Sequence, residues 1–212
     1  MLPEDFYRRD ALEVARDVLG KLLVRDEVVL RVTEVEAYRH LPPPGDTANH
    51  CRFGRTARNA PMWGPPGRAY VYLIYGMHPM LNLVTGEEGQ GEAVLVRAAE
   101  PVAGLETIVA RRAWTRPMGP ALLTGPGKVA RALALDTSMS HHPLFEPGGL
   151  EVRDAPRVVD ALAGPRIGID YADEAHRLAP WRLADAGSAW VAQRGRLLAD
   201  PSRIDRGRRP AR

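Results

Sequence analysis

The chain has 212 residues, 45% hydrophobic and 26% charged, which suits one domain with a substantial core. Its single cysteine, Cys51, excludes an internal disulfide framework and any multi-cysteine zinc site, and no apolar run reaches transmembrane length. The net charge of +3 sits in the last thirteen residues, DPSRIDRGRRPAR, which leaves 24 basic and 24 acidic residues in a neutral body, so nucleic-acid binding has to be sought in local clusters.

The N-terminal MLPEDFYRRD lacks the apolar segment of a signal peptide, and a reducing, cytoplasmic (nucleoid-associated) setting is expected. Asp10 can cap a helix, with Glu13 at the capping-box position, Leu12, Ala15, Val18 and Leu19 as its apolar stripe, and Gly20 as its stop. Strands are predicted near Leu22–Val24 and over Val28–Tyr38. A Pro/Gly/Arg-rich stretch runs from Arg39 to Arg68. The tyrosine strand from Tyr70 and a strand Ala93–Val96, ending at Arg97, come next. Helices are predicted at Leu105–Arg112 and Pro126–Leu135, and short strands at Leu150–Val152, Arg166–Asp170 and Trp190–Gln193. This order lacks βαβ regularity and predicts an α+β fold. Residues 1–199 form the expected domain, and 200–212 a basic, disordered tail.

In Val28-Val-Leu-Arg-Val-Thr-Glu-Val-Glu-Ala-Tyr38, alternation puts Val28, Leu30, Val32, Glu34, Glu36 and Tyr38 on one face. The two carboxylates then extend an apolar stripe about 6–7 Å apart. Such acids are costly unless paired or functional, which predicts one partnered by arginine and one available as a general base. The alternative is that the strand leaves the core at Glu34 and both acids are solvated.

The loop RHLPPPGDTANHCRFGRTARNAPMWGPPGR sets Arg39, Arg52, Arg55, Arg58 and Arg68 against one acid, Asp46, with Phe53 and Trp63 interleaved. Arginines with aromatics suit a phosphate backbone and unstacked bases, and a solvated loop is the plain alternative. His50 beside Cys51 lacks the spacing of a zinc site. Thr124-Gly-Pro-Gly-Lys128 fails as a phosphate-binding loop and reads as a helix start able to present N–H groups, with Lys128 assisting. In YVYLIYGM, Tyr70 and Tyr72 share one strand parity, while Tyr75 breaks it beside a flexible Gly76, where a hairpin tip would project it.

Thr33-Glu-Val-Glu-Ala-Tyr38, Tyr70-Val-Tyr-Leu-Ile-Tyr-Gly-Met77 with Asn82, Val94-Leu-Val-Arg-Ala-Ala-Glu-Pro101 and Gly125-Pro-Gly-Lys128 occur in this order. Together they closely resemble the alkyladenine (3-methyladenine, methylpurine) DNA glycosylases, from Asp5-Phe6 through Trp190-Val191. The resemblance implies a curved, mostly antiparallel sheet with flanking helices and a protruding hairpin. It implies a metal-free, cofactor-free monomer that flips a damaged purine from duplex DNA and hydrolyses its N-glycosidic bond. Glu36 would be the general base and Arg97 would help hold its water. Tyr38, His50 and Tyr72 would line the base pocket. Asn82 would form the pocket floor and disfavour guanine, and a backbone carbonyl near Val191 would touch the water. Tyr75 would be the wedge, with Met77 beside it. Arg52, Arg55, Arg58 and Lys128 are the expected DNA-backbone contacts. The Pro42–Pro44 run lengthens the loop before His50, and Pro180-Trp-Arg-Leu-Ala184 departs from the family's aromatic-rich segment. A bifunctional glycosylase/lyase would need Lys21 or Lys128, the only lysines, and a non-catalytic DNA-binding module would leave Glu34 and Glu36 solvated.

Overall fold

Asp10 starts the first helix, α1 (Ala11–Val18), with its carboxylate accepting the Leu12 N–H at 2.9 Å, a cap worth about 1 kcal/mol. Ala11, Val14, Ala15 and Val18 are its buried stripe, and Gly20, at φ +82°, turns the chain into the sheet. The computed structural model describes residues 1–40 and 45–200. The Pro42–Pro44 run and the tail beyond Asp200 lie outside the described residues.

Nine strands form one antiparallel sheet among the described residues: β1 (Leu22–Arg25), β2 (Val28–Tyr38), β3 (Ala69–Ile74), β4 (His78–Thr85), β5 (Glu92–Ala103), β6 (Glu151–Arg153), β7 (Ala161–Gly164), β8 (Arg182–Asp185) and β9 (Leu198–Ala199). The main path runs β3-β4-β5-β2-β8-β7-β9. Strand β2 pairs with β5 along its length, but on its other edge it changes partner. Residues Val28–Arg31 pair with β1, and Glu34–Glu36 pair with β8. The fold is α+β, as the order of elements predicted.

One face of the sheet is the core. Val28, Leu30, Val32, Val35 and Ala37 of β2, Leu81 and Leu83 of β4, and Val94 and Val96 of β5 pack there with α1. Ile108 of α2 (Leu105–Arg112) and Val129, Ala130 and Ala132 of α3 (Pro126–Ala132) join them. Each buried Val, Leu or Ile side chain among these contributes about 1.5–3 kcal/mol. A fourth helix, α4 (Glu174–Leu178), is short and contributes no buried residue.

Three expectations are corrected. The strand through Ala93–Val96 does not end at Arg97 but continues to Ala103. Arg166–Asp170 and Trp190–Gln193 are not strands. Their backbone groups are satisfied by side chains instead: Ile167 N–H by Glu36, the Trp190 carbonyl by Thr33 and Ala192 N–H by Glu34. Conversely, Ala-Leu-Ala-Gly and Arg-Leu-Ala-Asp form β7 and β8 despite alanines and glycine of low strand propensity, because they complete the sheet beside β2.

Candidate active site

The predicted single stripe along β2 is also corrected. Pairing with β5 runs Val32 to Ala99, Glu34 to Ala98 and Val35 to Val96, leaving Thr33 and Arg97 as unpaired bulge residues. An extra residue inverts side-chain alternation. Val35 and Ala37 therefore continue the core face begun by Val28, Leu30 and Val32, while Glu34, Glu36 and Tyr38 turn to the opposite face. The same inversion occurs in β5, whose core residues pass from Val94 and Val96 to Ala99.

On that opposite face, directly paired residues line up across five strands: Tyr70, Asn82, Leu95, Glu36 and Arg182. Paired residues share a face, and strand spacing puts Asn82 and Glu36 about 10 Å apart, with Leu95 between. Both acids are 0% exposed, so neither is solvated. Glu36 Oε2 accepts from Tyr38 Oη at 2.9 Å and Arg97 Nη1 at 3.3 Å, and its Oε1 accepts Ile167 N–H at 2.7 Å. Glu34 is the arginine-partnered acid. Its Oε1 lies 3.2 Å from Arg182 Nη1 and 3.4 Å from Arg97 Nε, and its Oε2 accepts Ala192 N–H at 2.6 Å. Burial raises the Glu34 pKa, against the Ala192 N–H and the two guanidiniums. Burial opposes ionisation of Arg97, but the facing Glu36 and Glu34 carboxylates outweigh it and raise its pKa.

Aromatic side chains flank the acid. Tyr38 carries a phenol pushed well above its ordinary pKa by burial and by Glu36, and so donates a proton rather than bearing charge. Tyr70 and Tyr72 stack at 5.5 Å, and the His50 ring meets Tyr72 edge-on at 4.7 Å. His50 is exposed on its outer side, yet its packed ring is held neutral. Burial, then Arg58 and Arg52, lower its pKa to about 4. Tyr70 is buried with Cys51, Met62, Val84 and Ala93 and serves as core. The Asn82 amide donates to the Tyr70 carbonyl at 3.2 Å. Among the described residues, no group of three or more His, Cys, Asp or Glu could hold a metal ion.

The β3–β4 hairpin presents Tyr75 and Met77, 84% and 68% exposed. Tyr75 and Gly76 both have positive φ, +53° and +69°, and Met77 N–H closes the turn on the Ile74 carbonyl at 3.1 Å. Tyr75 is thus held outward by a left-handed backbone that a bulky residue rarely adopts. Of the loop arginines, Arg52, Arg55 and Arg58 are exposed. Arg58 lies over the Tyr72 ring at 5.3 Å, and Arg52 lies between Phe53 and Tyr171 at 4.6 and 4.8 Å. Arg58 therefore also covers the Tyr72 ring. An open groove of about 440 Å³, lined by Arg58, Pro61, Tyr72, Leu73, Ser140 and His141, flanks β3; Glu36 does not line it.

The Gly-Pro-Gly-Lys turn is a helix start with a local task. Gly125 N–H donates to the Arg97 carbonyl at 2.9 Å and so braces the bulge, and Lys128 Nζ donates to the Ala121 carbonyl at 2.9 Å. The Val191 segment is anchored on both sides. Thr33 Oγ1 donates to the Trp190 carbonyl at 2.5 Å, and Arg182 Nη1 donates to the Ala192 carbonyl at 3.1 Å.

Sequence reasoning missed Arg182, Asp46, Arg166 and the Ile167 N–H. Arg166 and Asp46 form a bidentate pair at 2.5 and 2.8 Å, and the Arg166 guanidinium lies 4.6 Å from the Tyr38 ring centre. The one available signal was the isolated Asp46 in an arginine-rich loop, which demands a buried partner if it is itself buried.

The model of the methylpurine-DNA glycosylase family matches residues 5–189. A Nitrosococcus oceani protein named "Putative 3-methyladenine DNA glycosylase" is 62% identical over 197 residues, covering 93% of this chain and 96% of its own. The "DNA-3-methyladenine glycosylase" of Arabidopsis thaliana is 53% identical over 193 residues, covering 91% of this chain and 74% of its own. With this coverage, the chain belongs to the methylpurine-DNA glycosylase family.

Proposed function

We propose that the protein excises damaged purines from duplex DNA by monofunctional hydrolysis, with Glu36 as the general base. The observation that carries this reading is the Glu36 carboxylate, 0% exposed, on the sheet face shared with Tyr38, Tyr72 and Asn82 and 3.3 Å from Arg97. A purine turned out of the stack is sandwiched by the tyrosine and histidine rings. Tyr75 enters the gap it leaves, which offsets part of an unstacking cost of a few kcal/mol. Glu36 takes a proton from a water whose oxygen bonds to the sugar C1′ as the C–N bond breaks. The purine leaves with the bonding electrons, and the carboxylate offsets the positive charge developing on the sugar. Arg97, 3.3 Å from the Glu36 carboxylate, helps hold that water. The Val191 carbonyl, set between two anchored neighbours, is a second acceptor for that water.

The lysine chemistry of a lyase has less support. Lys21 Nζ donates to Asp154 at 2.5 Å and to the Ala155 carbonyl at 2.6 Å, and Lys128 donates to Ala121. The test is incubation with duplexes carrying single hypoxanthine, ethenoadenine or methyladenine residues, followed by cleavage of abasic sites. The parent releases at least one base. Glu36→Gln binds the same duplex and loses excision about 100- to 10,000-fold, the usual worth of general-base catalysis. Turnover retained in Glu36→Gln rejects Glu36 as the base. A borohydride-trapped enzyme–DNA adduct lost in Lys128→Ala points to the lyase.

A further inference from the structure

The Asp46–Arg166 pair is 0% exposed on both side chains and lies in segments that are neither helix nor strand. A buried ion pair is often no more stabilising than apolar residues of similar volume, so stability alone does not account for it. Its neighbours are informative. Arg166 Nη1 donates to the Ala37 carbonyl at 3.0 Å, on the residue between Glu36 and Tyr38. The guanidinium stacks on Tyr38 at 4.6 Å and on Trp181 at 5.0 Å, and Nη2 reaches the His176 carbonyl at 3.3 Å. The next residue, Ile167, gives its N–H to Glu36 Oε1 at 2.7 Å. At the other end, Asp46 Oδ1 accepts Ala48 N–H at 2.9 Å and so shapes the turn that carries His50.

We infer that Arg166, locked by Asp46, is a positioning residue for base excision, an inference that rests on Glu36 being the general base. The pair ties together three parts of the site that no strand pairing connects. It sets the plane of Tyr38, it delivers a backbone N–H that holds one oxygen of Glu36, and it fixes the entry to the His50 turn. With Oε1 held by Ile167, the other oxygen stays aimed toward Arg97 and the water. A lysine at position 166 keeps the charge but loses the planar fork and the ring contact.

The experiment compares Arg166→Lys, Asp46→Asn and the apolar double variant Arg166→Met/Asp46→Leu with the parent. Three quantities are read: single-turnover excision at saturating enzyme, affinity for a duplex with a tetrahydrofuran abasic analogue, and thermal unfolding. Positioning predicts excision slowed 10- to 100-fold, with abasic-duplex affinity within threefold of the parent, because the empty pocket does not report ring alignment. Excision by Arg166→Lys within threefold of the parent overturns the inference. So does a parallel loss of abasic affinity, which marks a purely structural role. Should the single variants fail to fold, the double variant decides. Folded and slow, it supports positioning; folded and fast, or unfolded, it overturns it. Glu36→Gln in the parent background is scored separately. Its retained turnover rejects the base assignment whatever the Arg166 variants do.

Discussion

Thr33 and Arg97 stand unpaired on neighbouring strands, and their two bulges cancel, so that β2 and β5 resume the same register beyond them. Both side chains are used where the ladder is broken. Thr33 anchors the Trp190 carbonyl, and Arg97 reaches both acids. A bulge re-aims side chains, and here it carries Glu34 and Glu36 from the core face to the site face.

Glu34 holds two guanidiniums and a backbone N–H without solvent access. Glu34→Gln leaves Arg97 and Arg182 without their shared charge, and removing one partner from a buried pair costs about 3–5 kcal/mol. Urea unfolding measures this, and a loss below about 1 kcal/mol would show that water replaces the carboxylate.

Tyr75 occupies a left-handed backbone at φ +53°, which disfavours L side chains by about 1–2 kcal/mol. Tyr75→Gly relieves that strain while freeing the unfolded chain, so stability is expected to change by less than about 1 kcal/mol. Affinity for a lesion duplex falls at least tenfold in the same variant. Unchanged affinity would remove Tyr75 from the wedge role.

Asn82 is buried, with its amide N–H₂ engaged by the Tyr70 carbonyl, which holds the side chain at the proposed pocket floor. Asn82→Ser shortens it and opens room for an exocyclic amine. Release of guanine, compared with release of a lesion purine by chromatography, is expected to rise at least tenfold. A flat ratio would show that discrimination lies elsewhere.

His50 is held neutral, with its pKa lowered from 6.5 to about 4. A group with a depressed folded pKa that is cationic below it favours the folded state most above about pH 6.5. That contribution declines as the pH drops toward 4, because the unfolded chain binds the proton first. NMR titration of the His50 ring is expected to show no midpoint between pH 5 and 8. A midpoint near 6.5 would mean that the ring is not packed against Tyr72.

The span of β2, the start of α1 at Asp10 and the whole of α2 were legible from caps and periodicity, because those signals are local. The parity of Glu34 and Glu36 was not. From Val32 to Ala37 every residue is buried, so alternation alone does not reveal a bulge, which belongs to the pairing of two strands. The candidates Glu36, Tyr72 and Tyr75 could be named through their motifs. Arg166 and Arg182 could not, since each is paired with a residue more than a hundred positions away, and no periodicity marks such a pair.

Val35 and Glu36 are adjacent in the chain yet face opposite sides of the sheet, and that interleaving shapes how the gene tolerates change. On the proposed roles, substitutions at Val35 or Ala37 are expected to cost stability through lost core packing, whereas the near-isosteric Glu36→Gln is expected to cost activity first. Within four codons, a screen for expression and a screen for survival of alkylation would rank neighbouring positions in opposite order.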